Sequence, residues 1–128
     1  MKPVTSEWVE KAEADWRAAQ REFNAAVDSS PDIVCFHAQQ CVEKYLKARL
    51  IESGLVAPRT HNLLALLALV TPTAPGLAGF TARLSRMAAH AVEIRYPGSD
   101  ATAAEAQEAV ATASAVRAQA PTSLGLSA

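Results

Sequence analysis

Three groupings in this chain hold residue types that handle phosphate or move protons. The first is Arg83, Arg86 and His90, which fall within about 60° of rotation if the run through them is helical. Arg83 and His90 then stand about two turns apart, roughly 10 Å along one face. Guanidiniums stabilise developing negative charge and an imidazole transfers a proton near neutral pH. Such a face suits a phosphodiester and chemistry on it, although an ordinary solvated helix face uses the same residues.

The second grouping is His37, Gln40, Lys44 and Lys47, within about 80° of one another on a second helical run. Together they offer donors for a phosphate or a base. The alternative is a polar stripe turned to solvent. The third is "RYPG", Arg95 to Gly98. Continuing the preceding helix would put Arg95 beside the apolar Leu77 and Leu84, where an unpaired guanidinium is expensive. Either the helix has unwound by Arg95, or Arg95 has a polar partner or a ligand. Arg95 and Tyr96 are therefore candidate contacts. His37, His61 and His90 are scattered, without Cys or acidic residues at ligand spacing, so neither a metal nor another cofactor is expected. No phosphate-cradling glycine loop or nucleophile elbow is visible.

All these residues sit in helical patterns. Alternation is absent, β-branched residues are sparse and Ala dominates, which predicts an all-α chain. A first helix is expected from about Thr5 or Ser6, with Trp8, Ala12, Trp16, Ala19, Phe23 and Ala26 inward. The second runs from Pro31, capped by Ser30, to about Ser53, with Gly54 as its stop. Val34, Cys35, Ala38, Cys41, Val42, Tyr45, Leu46, Ala48 and Leu50 fill an arc of about 200°, which makes it the central helix. Thr60 is expected to cap a third helix from His61 to Val70. A fourth runs from about Leu77 to Ile94, where Pro97 ends it. The fifth, capped by Asp100 or Thr102, reaches about Gln119. Short loops between amphipathic helices give an antiparallel, up-and-down bundle of four to five helices. Residues 1–120 form a single domain in this reading, and 121–128 a flexible tail.

The totals narrow the function classes. At 128 residues the chain is one domain long and can bury a core without disulfides or metal. A formal charge of −1 argues against a strongly electrostatic nucleic-acid binder, though not against a local patch. Cys35 and Cys41 point about 240° apart on one helix, so they are expected as reduced core residues. No run approaches the roughly 18 apolar residues of a membrane span, and the start lacks a signal-type apolar region. A cytoplasmic protein is expected.

Four stretches then make a pattern: "EWVEKAEADWRAAQ", "FHAQQCVEKYLKARL", "THNLLALL" and "AVEIRYPG". In order and spacing they resemble the small prokaryotic HEPN-domain proteins, over roughly residues 6 to 98. The resemblance implies a helical bundle that forms a homodimer and is often partnered with a minimal nucleotidyltransferase encoded nearby. It also implies nucleotide binding and, in some members, ribonuclease activity, including toxins of toxin–antitoxin pairs. The ribonuclease branch carries Arg, four to six residues, then His, working without metal across the dimer cleft. Arg83 and His90 match that spacing, but Leu84 follows the Arg where a polar residue is usual, and Val92 stands where a Tyr would.

Three readings follow. The leading one is a binding module for nucleotide or RNA, or for a nucleotidyltransferase, with His37, Gln40, Lys44, Lys47, Arg95 and Tyr96 toward the ligand. The second is a metal-independent endoribonuclease using Arg83 or Arg86 with His90. In the third, the protein is a purely structural dimer that regulates its partner by contact. Only three Phe, two Tyr and two Trp serve the core, so a second subunit is expected to add buried apolar surface.

Overall fold

The architecture comes from a computed structural model that describes the backbone of residues 1–93 and 97–123 and the side chains of 1–90 and 97–119. Arg95 and Tyr96 lie outside the described residues. Five α-helices are present among the described residues: α1 (Pro3–Phe23), α2 (Pro31–Glu52), α3 (Leu63–Val70), α4 (Thr81–Glu93) and α5 (Ala103–Ser123). A 3₁₀ turn, Pro75–Phe80, leads into α4. The fold is an all-helical bundle, as its periodicity predicts.

Helix boundaries follow local chemistry. Ser30 caps α2, its hydroxyl accepting from the Ile33 N–H at 3.3 Å, with Pro31 at the first helical position. At the other end Gly54 takes φ +88°, a conformation that a side chain disfavours. Its N–H donates to Ile51 while Leu55 N–H donates to Leu50, the paired bonds of a Schellman stop. Thr102 and Glu105 form a capping box at the start of α5, with bonds of 3.1 and 2.8 Å.

Five boundaries differ from expectation. α1 starts earlier, at Pro3, because Lys2 N–H and the Thr5 hydroxyl both donate to Glu52 and pin it to the end of α2. It ends earlier too, at Phe23, and the chain turns through Asp28 at φ +56°. Asn62, not Thr60, caps α3, accepting from Ala65 N–H at 3.1 Å, so His61 lies in the loop before it. The expected fourth helix begins as 3₁₀ because Gly76 and Gly79 weaken α geometry there. α5 continues to Ser123, past the expected end at Gln119.

The central position of α2 is confirmed. It packs against every other α-helix, and all nine residues of its expected apolar arc are buried. Leu63, Leu66, Leu67 and Val70 of α3, Leu84 and Met87 of α4, and Ala106, Ala109, Ala113 and Val116 of α5 close the core around it. Each large aliphatic side chain buried there contributes roughly 1.5–3 kcal/mol. No described helix is long and apolar enough to cross a membrane.

Candidate functional site

The polar face of α2 is not turned to solvent; it forms the seam with α1 and the α3 loop. Asp15, on the apolar stripe of α1, receives an imidazole and an ammonium from α2. His37 Nδ1 lies 2.8 Å from one carboxylate oxygen, and Lys44 pairs with the other. A carboxylate only accepts, so the Nδ1 hydrogen sits in that bond and Nε2 is left for another partner. Beside this cluster lies a groove of about 280 Å³, lined by Ala18, Arg21, Glu22, Ile33 and His37. Gln40 is half-buried on the same helix.

One turn further along α2, Glu43 and Lys47 are both buried and pair at 3.1 Å. The Lys47 ammonium also sits 5.5 Å from the centre of the Trp8 ring, which stabilises a cation on its face. His61 completes this group, with Nδ1 3.0 Å from Glu43. Lys47, expected at a ligand surface, is therefore enclosed. Its nearest charge is an internal carboxylate, and burial of the pair is what makes the match necessary.

On the far side of α2 a second cleft runs between α2, α4 and α5. It is lined by Cys35, Gln39, Arg83, Met87, His90, Glu105, Glu108, Ala109 and Thr112. Arg83 and His90 thus share one cleft, as their helical spacing predicts. His90 Nδ1 lies 2.6 Å from Glu105 Oε2, and Arg86 Nε donates to Glu108. The Arg83 guanidinium is 5.7 Å from the Phe80 ring centre. The free space in the cleft is only about 20 Å³, roughly the room of one water.

Electrostatics mark the carboxylates as partners. Glu105 is held below the usual carboxylate range, first by the Thr102 N–H, with His90 adding to the effect. Glu13 is also held low, chiefly by Arg117, which grips it with two bonds of 2.6 and 2.7 Å. Burial pushes the Cys35 thiol up to about 11 and Cys41 to about 12, so both are inert core thiols as expected. Among the described residues no three His, Cys, Asp or Glu gather to hold a metal ion.

Sequence reasoning identified the cations and passed over the anions that hold them. Asp15 had a readable signal, a carboxylate on an apolar stripe. Glu43 and Lys47 are an i,i+4 pair in the favourable order. Glu105 could be read as the fourth residue of a capping box. Glu108, by contrast, is one of several acidic residues on an Ala-rich helix and carried no mark of its own.

Comparison with known proteins agrees with the motif resemblance and extends it along the chain. A family model described as "HEPN domain" matches residues 5–120. The fold is similar to that in the crystal structure of TT1696 from Thermus thermophilus, with a TM-score of 0.78. That match has 24% sequence identity and covers 94% of this chain and 98% of the other. No curated protein matches the sequence.

Proposed function

We propose, for a chain that belongs to the HEPN-domain family, that it is a nucleotide- or RNA-binding module whose phosphate contacts are Arg83, Arg86 and His90. The observation that carries this reading is the sharing of one cleft by Arg83 and His90, with Arg86 on the same helix. Arginine forks and an imidazole are suited to phosphate oxygens. His37 and Lys44 form a secondary contact surface beside the larger groove. Their shared carboxylate, Asp15, is only 10% exposed and holds them against competition.

The module acts as a homodimer in this proposal. Val27, Ile33 and Phe36 leave apolar side chains exposed around the α1–α2 turn, and pairing would cover such surface. Light scattering at micromolar concentration tests this, and a monomer refutes it. A minimal nucleotidyltransferase is the proposed protein partner, as in a toxin–antitoxin type pair; failure of the two to co-purify counts against that part.

A second reading, metal-independent endoribonuclease, is favoured by one contact. Glu105 holds His90 by Nδ1, which fixes the ring and leaves Nε2 for proton transfer. Arg83 would then stabilise charge on the phosphate. Incubation of the protein with total RNA and transfer RNA, with and without chelator and beside His90→Ala, separates the readings. Discrete cleavage that survives chelation and vanishes in His90→Ala establishes the enzyme. Retention of intact RNA, weakened in Arg83→Ala, establishes the binding module. Intact RNA with no retention refutes both.

A further inference from the structure

Two ion pairs bridge α4 and α5 across the cleft: Arg86 with Glu108, and His90 with Glu105. Arg86 and His90 are four residues apart, about 6 Å along α4; Glu105 and Glu108 are three apart, about 4.5 Å along α5. Two carboxylates at that separation present what two neighbouring phosphates present, namely anionic acceptor oxygens in sequence for a guanidinium and an imidazole N–H. While both pairs are closed, the cleft holds about 20 Å³, too little for any nucleotide. Yet the pairs are weak locks. Arg86 is 54% and Glu108 41% exposed, and such pairs are readily exchanged; His90 and Glu105, 26% and 27% exposed, stay open to water at the cleft mouth.

We infer that Glu105 and Glu108 occupy the places of two adjacent phosphates of a polynucleotide, masking Arg86 and His90 until a polyanion displaces them. The inference rests on the reading that α4 takes phosphate, and it specifies the ligand class: a strand with at least two consecutive phosphodiesters. A single phosphate can replace one carboxylate but leaves the other pair closed, so it gains little. A single strand replaces both at once, as a multivalent ligand does. Glu105 is built for release. Its Oε1 accepts the Thr102 N–H at 2.8 Å while Oε2 holds His90, so the cap of α5 survives when Oε2 is given up.

The test is fluorescence anisotropy with a labelled ten-nucleotide single-stranded RNA, and AMP as the single-phosphate competitor. Glu105→Gln with Glu108→Gln should tighten RNA binding by roughly tenfold and leave AMP competition nearly unchanged. Glutamine keeps the capping box, and Glu108→Gln alone, away from the cap, repeats half the test if the double variant melts early. A charge-matched control, Glu7→Gln with Glu10→Gln on the exposed face of α1, should give much less. Adding Arg86→Gln should cancel the gain from Glu108→Gln. An equal gain in the α1 control, or no gain over a wild type that does bind RNA, overturns the masking while leaving the proposed function intact. RNA binding by neither wild type nor any variant overturns both.

Discussion

The two sides of α2 treat the same chemistry in opposite ways. Toward α1 and the α3 loop, the carboxylates themselves are enclosed: Asp15, 10% exposed, holds His37 and Lys44, and Glu43, 4% exposed, holds the buried Lys47 and the outward His61. Toward α5, the carboxylates that meet α4 are accessible, Glu105 at 27% and Glu108 at 41% exposed, across a thin cleft. Enclosed pairs repay their desolvation only when complete, so they fix how helices sit on one another. Exposed pairs contribute little to stability and can be exchanged for a ligand. The motif "HAQQCVEKYLKA" therefore works mainly as an internal fastening, and the proposed ligand contacts fall in the plainer sequence around Arg83 and His90.

The largest effect should come from opening the enclosed side. Glu43→Ala leaves Lys47, 6% exposed, without its carboxylate. A loss of about 3–5 kcal/mol is expected, as for other broken buried pairs, read as a lower urea midpoint at unchanged slope. Asp15→Asn should be milder, about 1–3 kcal/mol, because an amide keeps one acceptor for His37 while losing the charge that Lys44 needs. If both variants were as stable as wild type, the distinction between the two sides would collapse.

How much of this could be read in advance depends on the kind of interaction. Side-chain period identified α2 as central, and all nine arc residues are buried, because a 3.6-residue repeat constrains which way each apolar side chain points. Period also grouped Arg83 with His90. It could not pair residues between helices: His37 and Asp15 are 22 positions apart, and Arg117 and Glu13 are 104 apart. Those contacts depend on packing, so Lys47 read as a polar surface residue although it is enclosed. Caps were legible where a single local signal stood alone, as at Ser30. The start of α3 was not, because Thr60 and Asn62 both suit the role and only the Asn62 side chain reaches Ala65.

Acid adds a third contact to the comparison, the clamp of Glu13 on Arg117 between α1 and α5. In the folded protein Glu13 and Glu105 are both held below the usual carboxylate range, by Arg117 and by the Thr102 N–H respectively. A depressed carboxylate stabilises the fold above its unfolded pKa, and that contribution drains away as pH falls through the folded value. Stability should therefore hold down to about pH 5 and decline below it. Glu13→Gln should flatten that decline, since its clamp with Arg117 ties α1 to α5. Glu105, held first by the N–H of its own helix cap, should matter less to the acid limb than a clamp between two helices. An acid profile of Glu13→Gln that overlays wild type would count against the clamp.

The smallest effect on stability should belong to the open side, and there the comparison becomes a functional one. Arg86 and Glu108 are a partly exposed pair, for which about 0.2–1 kcal/mol is typical. Arg86→Gln should accordingly shift the thermal midpoint by no more than a few degrees for a domain of this size. The same substitution removes one of the three proposed phosphate contacts, so it should weaken RNA binding and lower the dependence of affinity on salt by about one counterion. Stability and affinity are thus expected to separate at Arg86 and to move together at Glu43, where unfolding removes any site along with the core. An Arg86→Gln protein as unstable as Glu43→Ala would show that the α4–α5 edge is fastened like the α1–α2 seam, leaving no exchangeable pair for a ligand to open.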